Sequence, residues 1–186
     1  MGILDWLIRA GTDAASATSD SEAVRRIASA LASMDPARAR YVATFAYLLG
    51  RIANADHVVT DEERRAMTAI VASEGGLEPE QAQLVAAVAG DESLRRRGTD
   101  DFQVAQEFAA LATDEQKLAL LRCLFAVSAS DEAVVTSEDN EVRRIAVQLK
   151  ISHEAFVAAR TAVRDKLAVL RPGGGIRPAV PDDSGG

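Results

Sequence analysis

Residues 35–63 read DPARARYVATFAYLLGRIANADHVVTDEE, and this stretch decides the fold. Asp35 and Pro36 form a strong helix start, because aspartate caps a helix N-terminus and proline suits the first helical position. From there apolar residues recur at helical spacing up to Asn54, which predicts a buried helix of about five turns. A short acidic segment follows, and Thr60 begins another helix. The stretch is therefore a helix, an acidic loop and a second helix.

The same arrangement returns further along the chain. When the chain is shifted by 75 residues, apolar positions fall on apolar positions and two acids fall on acids. The matched pairs are Phe45–Leu120, Leu49–Leu124, Ile52–Val127, Asp56–Asp131, Glu63–Glu138, Met67–Val142 and Ile70–Ile145. We therefore predict two copies of a helix–acidic loop–helix hairpin, packed about a pseudo-twofold axis.

Composition favours an all-α protein. Hydrophobic residues make up 48% of the 186 residues, charged residues 26% and aromatic residues 4%, and low aromatic content favours helices over sheets. Helical periodicity predicts seven core helices, which lie roughly over residues 36–54, 60–75, 79–90, 102–111, 114–129, 136–149 and 152–170. The prediction is a duplicated all-α bundle of about seven core helices with one or two extra N-terminal helices.

Charge and motifs exclude several classes of function. Lys and Arg number 21 against 28 Asp and Glu, a net charge of −7, which argues against a nucleic-acid partner and favours cations or a protein partner. The single cysteine, Cys123, excludes a disulfide framework and lies in an apolar run typical of a buried helix. His153 follows Ser152 at a helix start, where a solvated histidine is expected. No catalytic motif is present, so we predict a protein that is not an enzyme.

The N-terminal segment has two interpretations. Ile3 to Ile8 form a short apolar stretch that could bind a membrane surface or a partner's groove, or fold back over the protein's own core. A single cation, Arg9, offset by Asp5, gives membrane binding little electrostatic support. No apolar run reaches the roughly 18 residues of a membrane span, and no secretion signal is evident, so a cytoplasmic location is expected.

The two acidic loops resemble a known family. Residues 55–63 read ADHVVTDEE and residues 130–139 read SDEAVVTSED. The pattern Ala-Asp-Gly-x-apolar-Ser/Thr-x-x-Glu between two amphipathic helices, present twice, resembles the TerB family of tellurite-resistance and stress proteins. A similar domain occurs in a DnaJ-type co-chaperone. The resemblance covers roughly residues 35–170 as a TerB-like helical domain, with N-terminal amphipathic helices and a linker over 1–34 and a disordered tail over 171–186.

The resemblance implies an all-helical fold and a divalent metal ion, either Ca²⁺, Mn²⁺ or Zn²⁺, held by acids of the two loops. The acids that match the family's pattern here are Asp56, Glu63, Asp131 and Glu138. The family's loop glycine is replaced by His57 in the first copy and Glu132 in the second. Glycine can adopt a positive φ at this position without steric cost, whereas histidine or glutamate there would be strained. Either the loops therefore have another shape in this protein, or the metal site has been lost.

Three functions stay open at this point. The first is a non-catalytic stress-response and interaction module that binds a metal through its loops. The second is a structural helical scaffold without metal, because Thr60 and Glu63 have the spacing of a capping box, which accounts for Glu63 without any ion. The third is a metal-dependent hydrolase, which lacks an evident nucleophile or general base. Capping does not account for Asp56 and Asp131, so the metal hypothesis depends on those two residues.

Overall fold

The computed structural model describes residues 4–5, 7–9, 19–53, 59–91, 101–129 and 137–170. Within these ranges no residue forms a strand. Their helices are α1 Ser19–Ala32, α2 Pro36–Ala53, α3 Asp61–Glu74, α4 Pro79–Ala89, α5 Asp101–Leu111, α6 Asp114–Ser128, α7 Ser137–Gln148 and α8 His153–Leu170. The all-α prediction is confirmed. The predicted connection over 92–100 and the predicted tail over 171–186 lie outside the described residues.

Local sequence explains how the central helix begins. α2 starts at Pro36, and a carboxylate oxygen of Asp35 accepts hydrogen bonds from the backbone N–H groups of Ala37 and Arg38 at 3.0 and 3.1 Å. These bonds satisfy two of the N–H groups that a helix start leaves without partners. The predicted start of this helix is confirmed, with aspartate as its cap.

The seven helices from Pro36 onward form the duplicated bundle. Helices α2, α3 and α4 correspond to α6, α7 and α8, and α5 lies between the two sets in the chain. The first helices of the two copies, α2 and α6, pack against each other. The second helix of each copy packs against the first helix of the other copy, as α3 does on α6 and α7 on α2. The third helix packs against the first helix of its own copy, as α4 does on α2 and α8 on α6. Exchanging the two copies leaves the α2–α6 contact unchanged and interconverts the members of the other two pairs of contacts. The extensive contact between α3 and α4 has no counterpart of similar extent between α7 and α8 in the described residues, so the contacts agree with the predicted pseudo-twofold arrangement in part.

The core consists of the matched apolar positions of the two copies. In four of the matched pairs both side chains are buried; these pairs are Phe45–Leu120, Leu49–Leu124, Ile52–Val127 and Met67–Val142. Helix α5 adds Phe108, whose ring lies 5.5 Å from the Tyr41 ring and 6.1 Å from the Phe45 ring, measured between centroids. The helix outside the repeat thus contributes to the same core.

The N-terminal residues also join this core. Leu7 is 1% exposed and Leu4 is buried beside it, and both belong to the same hydrophobic cluster as α2 and α6. Helix α1 packs against α2 and α4 and buries Ile27 and Leu31. For the described part of the segment, the interpretation in which it folds back over the protein's own core is confirmed. None of the helices in the described ranges is both long enough and apolar enough to cross a bilayer.

The end of α7 contains an unusual backbone conformation. Lys150 has a φ of 58°, and the N–H of Ile151 bonds to the carbonyl of Ala146 at 3.0 Å, while the N–H of Lys150 bonds to that of Val147 at 3.0 Å. This is a Schellman motif, in which glycine is the usual residue at the left-handed position. A lysine there carries the steric cost of its Cβ atom.

Replacing Lys150 by glycine is therefore expected to stabilise the protein by about 0.5–1 kcal/mol, since part of the relieved strain is offset by the larger entropy of the unfolded chain. Urea unfolding measures this change. Lys150→Ala is the matched control, because it removes the same side chain but keeps Cβ, and it should leave stability near that of the wild type. A glycine variant no more stable than the alanine variant would contradict this explanation.

Candidate functional site

The four predicted metal ligands differ in how much of each residue the structure describes. Asp56 and Asp131 lie outside the described residues. Glu138 is in the first turn of α7, but its side chain lies outside the described atoms. Glu63 is described in full, in the first turn of α3. The site is therefore characterised through Glu63 and through the helix ends on either side of the two loops.

One contact joins α2, the helix before the first loop, to α7, the helix after the second loop. The guanidinium of Arg51, in the last turn of α2, contacts a carboxylate oxygen of Glu141 in α7. A helix rises about 1.5 Å per residue, so Ala53 and Ser137 each lie within roughly 6 Å of this contact along their helix axes. The end of α2 and the start of α7 are therefore neighbours.

The other two helix ends lie on α3 and α6. The Cys123 thiol lies 4.0 Å from the carbonyl oxygen of Ile70, and the Arg122 guanidinium lies 3.6 Å from the Glu74 carboxylate. These contacts place the C-terminal half of α3 against the middle of α6. The helix that follows the first loop therefore packs against the helix that precedes the second loop.

The end of α4 supports both sides of the first loop. At Gly50 in α2, a Cβ atom would lie 2.9 Å from the backbone oxygen of Ala89, which shows how closely the two helices approach. At Gly90 a Cβ atom would lie 3.5 Å from Val59, which comes just after the loop. The residues before and after the first loop therefore pack on the same turn, residues 89–90.

Glu63 forms the capping box that its spacing predicts. Its carboxylate accepts hydrogen bonds from the backbone N–H of Thr60 at 2.7 Å and from the Thr60 hydroxyl at 2.8 Å, while the Thr60 hydroxyl accepts from the N–H of Glu63 at 3.2 Å. Both of these bonds to the carboxylate use the same oxygen, Oε2.

A second capping box begins α6. The Gln116 side chain accepts from the backbone N–H of Thr113 at 2.8 Å, and the Thr113 hydroxyl accepts from the N–H of Gln116 at 3.2 Å. Our sequence interpretation missed this box, although the spacing of threonine and glutamine shows it. The box also demonstrates that glutamine can replace glutamate in this role within the same protein.

Removing either threonine hydroxyl should cost about 1 kcal/mol, the usual value for the loss of an N-cap. We expect Thr60→Ala and Thr113→Ala to lower the free energy of unfolding by similar amounts in metal-free buffer, which chemical denaturation measures. A much larger loss for Thr60→Ala would show that Thr60 does more than cap α3.

The described residues do not by themselves form a metal site. In these parts of the chain no three histidine, cysteine, aspartate or glutamate side chains are grouped closely enough to hold an ion. Hard cations such as Ca²⁺ prefer oxygen donors, and Ca²⁺ takes six to eight of them from carboxylates, carbonyls and water together. The donor chemistry of the four acids suits such a cation, but the site stays a prediction that depends on Asp56, Asp131 and the side chain of Glu138.

Sequence analysis missed a polar cluster beside this end of the bundle, which we call the Arg51 network. Arg51 contacts Glu141 and lies 3.5 Å from Asp101 of α5, and the Tyr47 hydroxyl donates to the other oxygen of Asp101 at 2.6 Å. The Arg51 side chain is 9% exposed, and within the described structure its Nη1 atom is buried without a hydrogen-bond partner.

The repeat contains the signal that reveals this network. A shift of 75 residues pairs Arg51 with Ala126 and Glu141 with Ala66. Arg51 therefore stands where the other copy has the buried Ala126, whereas Glu141 stands where the other copy has the exposed Ala66. Only the position of Arg51 indicates a buried charge.

Two other candidate residues behave as the sequence predicts. Cys123 is fully buried, and burial raises the pKa of its thiol to about 12, with the nearby Glu74 carboxylate acting in the same direction. The reactive thiolate form is therefore disfavoured at neutral pH. His153 is the exposed first residue of α8.

Fold and helix order define an all-helical module built from a duplicated hairpin. The family model for the tellurite resistance protein TerB matches residues 41–161, which include both acidic loops and most of both copies. The chain therefore belongs to the TerB family, as the loop pattern indicates. No curated protein and no solved structure matches the chain at a significant level.

Proposed function

We propose that this protein is a non-catalytic TerB-family module that binds one divalent cation between its two acidic loops and presents the ordered loops to a protein partner. The observation that carries the proposal is the contact between Arg51 and Glu141, because it places the end of α2 beside the start of α7. The packing of α3 on α6 brings together the other two helices that border the loops. Loops that start and finish at one end of the bundle can supply ligands to a shared ion.

The chemistry of the four acids supports a hard cation. Neither loop alone has enough oxygens at suitable spacing to enclose Ca²⁺, so a site requires both loops or several water ligands. Asp56 and Asp131 would come from the loops, and Glu63 and Glu138 from the first turns of α3 and α7. The net charge of −7 favours the approach of cations and disfavours nucleic acid.

The capping box favours a second candidate, a helical scaffold that binds no ion. In such a scaffold Glu63 serves only as a helix cap, since its carboxylate accepts two hydrogen bonds from Thr60. Cation binding and capping make different predictions for the loop aspartates, and these predictions separate the two functions.

Thermal unfolding tests the proposal. Ca²⁺, Mn²⁺ or Zn²⁺ at about 100 times its dissociation constant should stabilise the folded state by about 2.7 kcal/mol, which for this chain length raises Tm by roughly 5–10 °C. The same ions should leave the Tm of Asp56→Asn/Asp131→Asn unchanged. Glu78→Gln/Asp165→Asn is the control, because it removes the same charge from exposed positions away from the loops. A wild-type Tm that responds to none of the ions would support the scaffold instead.

Glu63→Gln separates the two roles of Glu63. The Thr113–Gln116 box shows that glutamine caps a helix in this protein, so the variant should keep nearly all of its stability in chelator. It should nevertheless lose part of the stabilisation by metal, because an amide oxygen is a weaker ligand than a carboxylate. If Glu63→Gln keeps its stability in chelator and is stabilised by metal as much as the wild type is, Glu63 is a cap alone.

A further inference from the structure

Helix α8 is less covered than α4, its counterpart in the other copy. Helices α1, α2 and α3 all pack against α4, whereas α6 alone among the described helices packs extensively against α8. The buried residues of α4 therefore lie on two sides of the helix: Ala82, Leu84, Val85, Ala86, Val88 and Ala89. Those of α8 lie on one side only: Phe156, Ala159 and Val163. Much of α8 is thus a helix face that no other helix covers in the described part of the chain.

One side of this face combines an exposed valine with arginines. Val157, Arg160 and Arg164 lie at positions i, i+3 and i+7, so they share one side of α8. Val157 is 45% exposed, and both arginines are exposed. Lys166 is two residues after Arg164, so it lies on nearly the opposite side, where it contacts Glu74 at the end of α3. The side that carries the arginines is therefore turned away from α3.

Helix α7 extends this surface. The guanidinium carbon of Arg143 lies 5.1 Å from the centroid of the Phe156 ring, which is in the first turn of α8. Val147 is one turn after Arg143 on the same side of α7 and is 70% exposed, more than any other large apolar side chain in the described ranges. Two exposed valines thus lie among arginines. We define the α7–α8 surface as Arg143, Val147, Val157, Arg160 and Arg164.

The charge of this region is opposite to that of the rest of the chain. Residues 143–170 contain six Lys and Arg against two Asp and Glu, a net charge of +4. The remainder contains 15 against 26, a net charge of −11. Four of the six bases are arginine, which is enriched at protein interfaces because its planar guanidinium can bind a carboxylate through two hydrogen bonds. The α7–α8 surface is therefore complementary to an acidic partner.

The turn between the two helices carries a further base in a strained conformation. Lys150 is exposed and has a φ of 58°, where glycine is the usual residue. Glycine would relieve the strain but would remove the charge. A strained residue at an exposed position points to a function for its side chain. Lys150 adds positive charge between α7 and α8.

We propose that the α7–α8 surface binds an acidic amphipathic helix of a partner protein. Apolar side chains on one face of that helix pack on Val147 and Val157, and flanking Asp and Glu side chains pair with the arginines of the surface. The partner helix covers α8, as α1 covers α4 within the chain. Binding at this surface requires no cation, so it is independent of the proposed metal site.

Fluorescence anisotropy in chelator tests the proposal with a labelled synthetic peptide. The probe is an amphipathic helix of about five turns, with leucine on one face and glutamate on the others. The wild type should bind this peptide at least about tenfold more tightly than a peptide with lysine in place of glutamate. Arg160→Glu/Arg164→Glu should weaken binding of the acidic peptide about tenfold. Val147→Ser/Val157→Ser should weaken it several-fold, which a purely electrostatic attraction does not predict.

The chain offers a matched control for the charge reversal. Arg26→Glu/Arg65→Glu makes the same change at exposed positions of α1 and α3, and its affinity for the acidic peptide should stay within about twofold of the wild type. If it binds as weakly as Arg160→Glu/Arg164→Glu does, net charge and not the α7–α8 surface is responsible, and the proposal is wrong.

Lys150→Gly provides a test in which stability and binding change in opposite directions. The variant should be more stable than the wild type, and it should bind the acidic peptide about two- to fivefold more weakly, the usual effect of one exposed charge. Unchanged affinity in this variant would show that the strained lysine contributes nothing to binding and would count against the proposal.

Two further measurements identify other occupants of the surface. Vesicles of phosphatidylglycerol that bind the wild type when the acidic peptide does not would show that the surface recognises lipid. Sedimentation velocity that shows a wild-type oligomer, and a monomeric Arg160→Glu/Arg164→Glu variant, would show that a second copy covers it. Either result would overturn the proposal, as would a wild type that does not bind the acidic peptide. None of these results bears on the proposed cation site, because chelator is present throughout.

Discussion

Replacing Phe108 by alanine is expected to destabilise the protein by about 3–5 kcal/mol, the usual cost of truncating a fully buried phenylalanine. The Phe108 ring is stacked near Tyr41 and meets the edge of Phe45. It is the main contribution of α5 to the core, and α5 is the helix that the repeat does not account for. Chemical denaturation monitored by circular dichroism measures the loss.

Phe102 provides the control on the same helix. Its side chain is 51% exposed, so Phe102→Ala makes the same chemical change and should cost about 1 kcal/mol, in proportion to the smaller area buried. Equal losses at the two positions would show that α5 is not packed on the core as described, and that the duplicated hairpins alone form the stable unit.

Gly50→Ala is expected to destabilise the protein by about 1–3 kcal/mol, the cost of forcing extra atoms into a packed site. Helix propensity alone predicts the opposite sign, because alanine in a helix interior is favoured over glycine by roughly 1 kcal/mol. The close approach of α2 to the end of α4 reverses the sign, since a Cβ atom would lie 2.9 Å from the backbone oxygen of Ala89. A backbone atom cannot rotate away as a side chain can.

A larger residue should extend the trend. Gly50→Val is expected to cost more than Gly50→Ala, and both should reduce any cation affinity, because the same turn of α4 also packs against Val59 after the first loop. Gly76→Ala is the comparison: it meets no atom within 4 Å, and its cost comes only from a φ of +62°. A stabilised Gly50→Ala variant would refute the close approach of the two helices.

Much of the fold follows from short-range signals. Asp35 and Pro36 mark the start of α2, Thr60 and Glu63 mark the start of α3, and the structure confirms both. The repeat then predicts which helices correspond, because helices with the same hydrophobic pattern bury the same face in both copies. The order and approximate bounds of the seven core helices are confirmed for this reason.

The features that sequence reasoning missed depend on contacts between distant parts of the chain. Arg51 and Glu141 are 90 residues apart, and nothing local in α2 indicates that an arginine there is buried. The left-handed conformation of Lys150 escaped prediction because the sequence marks such positions chiefly by glycine. Tertiary packing determines both features.

The candidate site is predictable to a different extent at each residue. Glu63 has the capping role that its spacing indicates. The spacing of Asp56, Asp131 and Glu138 indicates only that equivalent acids occur in both copies, because the distance between the two loops depends on how the copies pack. The structure shows that α2 packs against α7 and α3 against α6, and the two loops themselves lie outside the described residues.

We propose that the two acidic loops share one cation, and the stoichiometry of binding tests this proposal most directly. Isothermal titration of the full chain with Ca²⁺, Mn²⁺ and Zn²⁺ should give one ion per chain for at least one of these metals. Asp56→Asn and Asp131→Asn, each alone, should abolish binding as completely as the double substitution does. Two independent ions per chain, a single substitution that leaves binding intact, or no heat with any of the three metals would contradict the claim.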